Sequence, residues 1–584
     1  MAGQLPSPPS VDHSGVQIKA VARMFRGDPE DVQITILIIL DRVWSVDDDV
    51  MMKSVATIVQ KLKSFIDECK CSDLQDIDIA VEVVSRNLIN PKFVSAIDYD
   101  TTLARSWLKI RDGVQKILDD NESTREATTS ISLIRLGYSP DHYTNPKTVY
   151  VTLDYSSSEL TWPLVLRQLQ GYVDRFHMDL VVHMEHNVIE EMIQSPLVKS
   201  VRTPEERQEL LGKYGAELRA PYTKAVRLGG SLSATSNIIR SDGKEAYPTV
   251  GTLGCWVEIK TRYQKSWQKM GLTCYHVFRP CLPGYQVGTC TPKGKDDGLP
   301  VIYSASMAPA PNSLCLAVDK KGIVPKKVAD SVNLTVEHPA RMRHVLTVDE
   351  LEARIAQLEK AGLDTSKDNQ ELAQKIKFFD EESAAFGKLH FASGYLRRSK
   401  TGGRLDWALI KPDDDSRVGR NLLPSLDWFE HRGYPLSRQP FDGDIVMKSQ
   451  ALSLHDHVAT VDSKTAVIKE LSGFKLGATT GATAGRLSAY SNTVKIGEEN
   501  HLRLRRPNFY SNEYCFVDAF AGGGDSGAAV YDEVGRIIGL VFRGQQPHQA
   551  GTERLTYVTP IEDIFKDIKD ISQGDVVGIR LLRE

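Results

Sequence analysis

Residues 522–527 read Gly-Gly-Gly-Asp-Ser-Gly and lie between segments whose β-prone composition is typical of strands. A nucleophilic serine needs a tight turn, which exposes its Oγ and aims backbone N–H groups at a developing oxyanion. The flanking glycines permit that close backbone approach. Glycine-rich turns that contain Asp and Ser are common, so this motif by itself is only moderately specific.

Two other segments place a polar residue at the end of a β-prone run. Gly271-Leu-Thr-Cys-Tyr-His-Val277 ends a short apolar strand near His276, and Arg404-Leu-Asp-Trp-Ala-Leu-Ile410 begins another near Asp406. The three motifs follow the chain order His, Asp, Ser, which differs from the order in subtilisins and α/β-hydrolases. Together they resemble the chymotrypsin/trypsin family of serine proteases.

This resemblance covers roughly residues 230 to 575 and implies two antiparallel six-stranded barrels. It implies that His276 is the general base and acid, that Asp406 orients its imidazole, and that Ser526 attacks the scissile carbonyl. Backbone N–H groups of Gly524 and Ser526 would form the oxyanion hole. The predicted function is a serine endopeptidase that hydrolyses peptide bonds through an acyl-enzyme intermediate.

The resemblance also implies a specificity pocket, with its base at the residue six before the serine, Phe520. One wall of the pocket would consist of Phe542, Arg543 and Gly544. The last wall falls within residues 551–557, where the candidates are Glu553, Arg554 and Leu555. Because Phe520 offers no carboxylate to a buried cation, we expect a small or medium apolar residue before the scissile bond. Arg543 or Arg554 turned inward would instead favour an acidic one.

The sequence departs from the family pattern at several positions. Val277, and not cysteine, follows the histidine, and Ala528-Ala529 replaces the usual Gly-Pro after the serine motif. These differences predict an intracellular, disulfide-free branch. In secreted relatives the aspartate beside the serine pairs with a new N-terminus after zymogen cleavage. Here a whole domain precedes the barrels, so the sequence does not reveal a partner for Asp525.

Composition is that of an ordinary globular protein and indicates no charged partner. The 584 residues are 41% apolar and 25% charged, with 72 basic and 76 acidic side chains and a net charge of −4. Neither nucleic acid nor a membrane surface is therefore an expected partner, and we expect protein or peptide substrates. The longest strongly apolar run, Ile34 to Leu40, is too short to span a bilayer.

The N-terminus and the cysteines predict a cytoplasmic location. Residues 1–15 contain no apolar segment of the kind that secretory signals carry. The eight cysteines are sparse for this length, and a reducing compartment would keep them as thiols. Cysteine spacing does not match a zinc site, and strand alternation would place His183 and His186 on opposite faces. We therefore expect neither a metal nor another cofactor.

Upstream of the barrels the pattern predicts a duplicated α+β domain. Residues 1–30 read as a disordered tail, and residues 31–195 contain two β-α-β units, which suggests a ferredoxin-like arrangement. The first unit has strands near Ile34 to Leu40 and Ile77 to Val84. The second has strands near Thr148 to Leu153 and Leu180 to Met184, on either side of a helix. We expect this domain to regulate or target the enzyme by binding a partner or by self-association.

The predicted chain is thus multidomain. Residues 196–229 form a linker, and residues 230–584 form the double-barrel protease domain, interrupted by a helical hairpin at 347–383. Two alternatives stay open on this evidence. One is a catalytically silent binding module built on a protease-like barrel. The other is an esterase that uses the same three residues, because the acyl chemistry is shared.

Overall fold

In the computed structural model, described residues form two compact units. The first unit comprises residues 1–92 with the short segments 138–140 and 295–298, and the second unit comprises the rest. Apart from isolated helical residues between 53 and 68, the described residues are 16–24, 32–40, 79–85, 92–154, 157–187, 189–191, 222–239, 244–282, 285–290, 296–304, 313–325, 332–381, 383–423, 445–446, 472–495, 510–518, 520–532, 535–545 and 555–582.

The first unit is built on a three-stranded sheet. Its strands are β1 (Val16–Met24), β2 (Val32–Leu40) and β3 (Ile79–Ser85). β1 and β2 are antiparallel, and β2 and β3 are parallel, so the chain crosses over between β2 and β3. β1 falls within the stretch for which composition predicts a disordered tail. β1 is a strand because it pairs with the apolar strand β2, and the composition of a segment does not show which other segment it will pair with.

The second unit begins with an α+β part. Its elements are β4 (Phe93–Ser95), α1 (Thr101–Asp120), α2 (Glu122–Arg125), β5 (Thr128–Gly137), β6 (Lys147–Leu153), α3 (Trp162–Val173), β7 (Val181–His186) and β8 (Ile189–Glu191). Asp100 caps α1, because its carboxylate accepts hydrogen bonds from the N–H groups of Thr102 and Leu103. β5 and β6 are antiparallel, whereas β6 and β7 are parallel on either side of α3. A ferredoxin-like duplication that also includes the first unit stays a prediction.

The described residues of the first barrel region contain seven strands of an eight-stranded sheet and three separate two-stranded sheets. In chain order the elements are β9 (Ser231–Ala234), β10 (Ile238–Ile239), β11 (Glu245–Ala246), β12 (Gly251–Thr252), β13 (Cys255–Thr261), β14 (Gln268–Thr273), β15 (Tyr285–Cys290), β16 (Asp296–Ser304), α4 (Ser313–Lys321), β17 (Thr335–Glu337), α5 (Arg341–Lys360), α6 (Ser366–Asp380), β18 (Ala385–Ala392), β19 (Ala408–Pro412), β20 (Leu422–Leu423) and β21 (Ile445–Val446). The sheet order is β12-β9-β17-β18-β19-β14-β13, followed by a C-terminal strand. The two ends of this order do not pair with each other among the described residues, so the sheet is a half-barrel. The two-stranded sheets are β10-β11, β15-β16 and β20-β21.

The second barrel is closed. Its region contains β22 (Ser472–Gly477), β23 (Gly481–Leu487), β24 (Asn492–Lys495), β25 (Tyr510–Val517), β26 (Ala529–Tyr531), β27 (Ile537–Gln545), β28 (Thr556–Pro560), α7 (Ile561–Ile571) and the C-terminal strand β29 (Val576–Leu581). The strand order is β23-β22-β26-β27-β28-β25. The barrel is closed because the last strand of this order, β25, also pairs with the first, β23. β24 joins β25 to β5, so the sheet of the α+β part continues the barrel wall. A closed six-stranded barrel and a half-barrel are consistent with the predicted double-barrel fold, but among the described residues only the second barrel has the six strands expected of each.

Two observations bear on the predictions for the helical insertion and the linker. Helices α5 and α6 occupy the stretch predicted as a helical hairpin, but α5 begins at Arg341, upstream of the predicted boundary at 347. Within the predicted linker, Val226 and Leu228 belong to the hydrophobic core of the barrels. Val226 also forms a parallel bridge with Val418, so this end of the stretch is part of the fold.

Among the residues that the structure describes, no helix has the length and apolar character needed to cross a membrane. Four cysteines whose side chains are described, Cys255, Cys274, Cys281 and Cys515, are buried free thiols. Burial raises the pKa values of Cys255 and Cys281 to about 12, which makes these thiols poor nucleophiles.

Candidate active site

Strand pairing brings the predicted histidine and aspartate together. β14 and β19 are antiparallel neighbours, with Thr273 opposite Ala408. The C-terminal end of β14 and the N-terminal end of β19 therefore lie at the same edge of the sheet. His276 follows the first of these ends and Asp406 precedes the second. Ser526 reaches the same place from the turn between β25 and β26 of the second barrel.

The three side chains form a continuous hydrogen-bonded chain. His276 Nε2 lies 2.6 Å from Ser526 Oγ, and His276 Nδ1 lies 2.6 Å from Asp406 Oδ2. The backbone N–H of His276 also donates to Asp406 Oδ1 at 3.1 Å. An ionised Asp406 can only accept, so Nδ1 carries the proton and Nε2 accepts from the serine hydroxyl. This is the tautomer that a general base for Ser526 requires.

Asp406 is held ionised although it is completely buried. Burial alone would raise the pKa of this carboxyl group, but the electrostatic interactions with His276 and with the Arg404 guanidinium, together with the hydrogen bonds from His276, outweigh that effect. The pKa of Asp406 therefore lies well below its ordinary range. Arg404 Nη2 is 3.1 Å from Asp406 Oδ2, and the Arg404 guanidinium lies 3.9 Å from the centre of the Tyr395 ring. Sequence reasoning missed Arg404, although it lies only two residues before Asp406.

The turn around the serine contains two glycines with positive φ. Gly524 has a φ of +103° and Gly527 a φ of +92°, values that residues with a Cβ rarely adopt. The carbonyl oxygens of Gly524 and Ser526 accept from Thr252 Oγ1 and Thr252 N, each at 2.8 Å. Within the described part of the chain, the N–H groups of Gly524 and Ser526 donate no hydrogen bond. Both therefore remain available as donors.

Asp525 has a partner that the sequence did not reveal. Lys475 Nζ lies 3.0 Å from Asp525 Oδ2, and both side chains are 0% exposed. Asp525 also accepts hydrogen bonds from the N–H groups of Thr479, Thr480 and Gly522 and from Thr480 Oγ1. Burial raises the pKa of this carboxyl group, but the charge of Lys475 and these hydrogen bonds lower it overall. No spacing rule links residues 475 and 525, so the sequence carried no signal for this pair.

The residues predicted to line a specificity pocket lie in and around the second barrel. Phe520 is fully buried and stacks on Phe516 with ring centres 4.8 Å apart. Phe542, Arg543 and Gly544 are consecutive residues of β27, and the Leu555 carbonyl accepts from the Gln545 N–H. Arg543 Nη2 donates to Tyr395 Oη at 2.9 Å. Glu553 and Arg554 lie outside the described residues, and the pocket itself stays a prediction.

Cys274, His276 and Asp406 place potential metal-ligand atoms within 4.8 Å of one another. Both ring nitrogens of His276 are already engaged, by Asp406 and by Ser526. The Cys274 thiol donates to the Val541 carbonyl at 3.3 Å. Metal binding would have to break the contact with Ser526 or with Asp406, so the observed contacts favour proton transfer instead.

No family model matches the chain, and no curated protein matches it. Among solved structures it is similar to Nocardiopsis protease (NAPase), with 10% identity, a TM-score of 0.25 and coverage of 62% of this chain and 100% of that one. It is also similar to a glutamic acid specific serine protease with a histidine triad in substrate binding, with 16% identity, a TM-score of 0.21 and coverage of 35% and 76%. Similarity at this level says nothing about activity.

Proposed function

We propose that this chain is a chymotrypsin-like serine endopeptidase in which Ser526 is the nucleophile. The observation that carries the proposal is the chain of two 2.6 Å contacts from Ser526 through His276 to Asp406. A buried carboxylate that is kept ionised fixes the imidazole tautomer, and the free imidazole nitrogen faces the hydroxyl. General bases act within about 2.6 to 3.2 Å of the proton that they remove, and this contact lies in that range.

In the first half of the proposed reaction, His276 Nε2 accepts the proton of Ser526 while Oγ bonds to the scissile carbonyl carbon. The resulting oxyanion receives hydrogen bonds from the N–H groups of Gly524 and Ser526. His276, now protonated, is stabilised by the Asp406 carboxylate. The tetrahedral intermediate then expels the amine, which takes its proton from His276, and an acyl group remains on Ser526.

In the second half, water replaces the amine. His276 removes a proton from the water as the water oxygen bonds to the acyl carbon. Collapse of the second tetrahedral intermediate breaks the bond to Ser526 Oγ, which recovers its proton from His276. The products are one carboxylic acid and one amine, and no other reactant is needed.

The test of this proposal is hydrolysis of a proteome-derived peptide library by the full-length chain, with Ser526→Ala as the matched control. The proposal expects peptide products with the parent chain and none above background with the variant. Equal product formation by both would end the protease hypothesis. Hydrolysis of simple esters without any peptide cleavage would favour the esterase alternative, because both activities use the same acyl chemistry.

We also propose that the intracellular, disulfide-free character predicted from the sequence applies to this enzyme. Four thiols buried in the barrels support it, because an oxidising compartment would select for paired cysteines. The predicted regulatory or targeting role of the N-terminal region remains part of the proposal. Fractionation of cells that express the tagged chain would test the location, and recovery only from a secreted fraction would contradict it.

A further inference from the structure

Strand β8, at the end of the α+β part, pairs with strand β27 of the second barrel. The pairing is antiparallel, with Glu191 opposite Arg543, Glu190 opposite Gly544 and Ile189 opposite Gln545. β8 is only three residues long, and the residues with which it pairs lie more than 350 positions further along the sequence (543 − 191 = 352). Two of its partner residues, Arg543 and Gly544, belong to the stretch predicted from the sequence as one wall of the specificity pocket.

The edge of β27 that receives β8 begins beside the nucleophile. Ser526 Oγ lies 3.3 Å from the carbonyl oxygen of Phe542, the residue just before Arg543. Because the pairing is antiparallel, the chain direction from Ile189 to Glu191 runs from Gln545 toward Phe542. β8 therefore points its C-terminal end at Ser526.

An extended peptide substrate would use the same edge. Peptides commonly bind proteins by adding a strand to a sheet edge, where main-chain hydrogen bonds supply affinity. If a peptide bound in the register of β8 continues by one residue beyond the position of Glu191, that additional residue lies opposite Phe542. The carbonyl group of the additional residue is then beside Ser526. β8 thus has both the position and the chain direction of the acyl half of a substrate.

Burial of the site agrees with an occupied groove. Ser526 and His276 are 0% exposed, although a protease must offer both to an external peptide. Arg543 and Gln545, on the strand that β8 covers, are each 5% exposed. These four residues are therefore closed to solvent in a chain whose hydrogen-bonded triad is otherwise assembled.

We propose that Ile189–Glu191 occupies the substrate-binding strand of the enzyme in cis and competes with external peptides. This inference rests on the proposed function. It also defines a substrate class: extended peptides whose main chain pairs with Arg543–Gln545 in the register of β8. In the sequence Met192 follows Glu191, so a peptide copied from this segment has an unbranched apolar residue before the scissile bond.

The test measures binding of a fluorescent peptide, Asn-Val-Ile-Glu-Glu-Met, to full-length Ser526→Ala and to the same chain with Glu190→Pro. Proline removes a backbone N–H from β8 and restricts its φ, which weakens strand pairing. The matched control is Ser526→Ala with Glu190→Ala, which loses the same side chain but keeps the N–H. We expect Kd to fall at least tenfold with Glu190→Pro and to stay near the parent value with Glu190→Ala. Equal Kd values for all three chains would overturn the proposal.

Amide hydrogen exchange in Ser526→Ala provides a second measurement that needs no proline variant. A saturating amount of the peptide should speed exchange at Ile189–Glu191 while Arg543–Gln545 stays protected, because the peptide takes the place of β8. Unchanged exchange at Ile189–Glu191 with the peptide bound would overturn the proposal. Both measurements use a chain without the nucleophile, so their outcome does not depend on catalysis.

The cleavage position separates this inference from the proposed function. With Ser526 intact, the Glu190→Pro chain should cut Asn-Val-Ile-Glu-Glu-Met-Ile-Gln after Met. Cleavage at another bond would contradict the register. Binding to the groove without any cleavage would overturn the proposed function and leave the occupied groove supported.

Discussion

The ammonium group of Lys475 lies 3.0 Å from the carboxylate of Asp525, the residue next to the candidate nucleophile, and both groups are fully buried. Lys475 is part of β22, a strand of the same barrel. A cation from within the chain thus fixes the carboxylate that precedes Ser526. The Asp525 carboxylate has its charge partner without a new N-terminus, so we expect this ion pair to form without an activating cleavage.

Replacement of Lys475 by Met should impair both folding and catalysis. Removal of one partner from a buried ion pair leaves an uncompensated charge and costs about 3 to 5 kcal/mol of unfolding free energy. It should also release the turn that carries Gly524 and Ser526, and so lower kcat more than it raises KM. Thermal unfolding and peptide kinetics measure the two effects.

Two further variants control this prediction. Lys475→Arg keeps the charge and should recover part of kcat, and Lys475→Met with Asp525→Asn should recover part of the stability, because no charge is left unpaired. A folded Lys475→Met chain with parental kcat would show that the pair stabilises the barrel without positioning the nucleophile.

Gly524→Ala should lower kcat by about 10² to 10³, the usual effect of losing one oxyanion donor. A Cβ at this position would come within 2.1 Å of Thr479 Oγ1, and the φ of +103° disfavours a side chain. The N–H of residue 524 must therefore move. Gly362→Ala is the matched control, because Gly362 also has a positive φ but its Cβ would meet nothing within 4 Å. Equal losses of kcat in the two variants would argue against an oxyanion role for Gly524.

The free energy of unfolding should fall as the pH rises toward 8, because the pKa of Glu513 is higher in the folded chain than in the unfolded chain. Burial raises the pKa of Glu513 to about 8, from an ordinary value of 4.5, although a hydrogen bond from the Arg404 N–H opposes the shift. Between these two values the folded chain holds a proton that the unfolded chain has lost. The contribution of Glu513 to stability is therefore greatest below pH 4.5 and decreases as the pH rises through about 8.

Thermal unfolding of the parent chain and of Glu513→Gln, measured from pH 5 to 9, tests this assignment. The glutamine cannot ionise, so the difference in unfolding free energy between the two chains should shift in favour of the variant as the pH rises. A difference that is independent of pH would show that Glu513 does not change its ionisation in this range.

Cleavage should favour an apolar residue over arginine on the N-terminal side of the scissile bond. Phe520 provides no carboxylate at the predicted base of the pocket, and Arg543 would repel a second cation. The kcat/KM for Leu or Ala relative to Arg should exceed about 10, which corresponds to about 1.4 kcal/mol of differential transition-state binding. Peptides that vary only at this residue measure the ratio. An arginine preference would show that another acidic group, such as Glu553, reaches the pocket.

Short motifs made the candidate triad predictable from the sequence. His276, Asp406 and Ser526 each lie beside a recognisable strand or turn, so local patterns were enough to name them. Lys475 was missed because a buried cation has no local signature when its carboxylate partner, here Asp525, lies in a distant turn. Arg404 was missed although Asp406 is only two residues away, because a charged side chain is ordinarily expected to be exposed. Pairing of β8 with β27 was equally hidden, since a three-residue strand has almost no periodicity and its partner is far away in the sequence. The strand Val16–Met24 was missed because composition does not reveal which segment will pair with it.

Labelling by a fluorophosphonate probe tests most directly whether Ser526 is an activated nucleophile. The probe reacts with serines whose hydroxyl is activated by a neighbouring base, and peptide mass spectrometry locates the adduct. The parent chain and Glu190→Pro, in which the groove should be open, are labelled beside His276→Ala, which lacks the base. We predict one adduct, on Ser526, in Glu190→Pro, slower formation of the same adduct in the parent chain, and none in His276→Ala. The absence of an adduct from Ser526 in folded Glu190→Pro, or equal labelling in His276→Ala, would contradict the catalytic role of this triad.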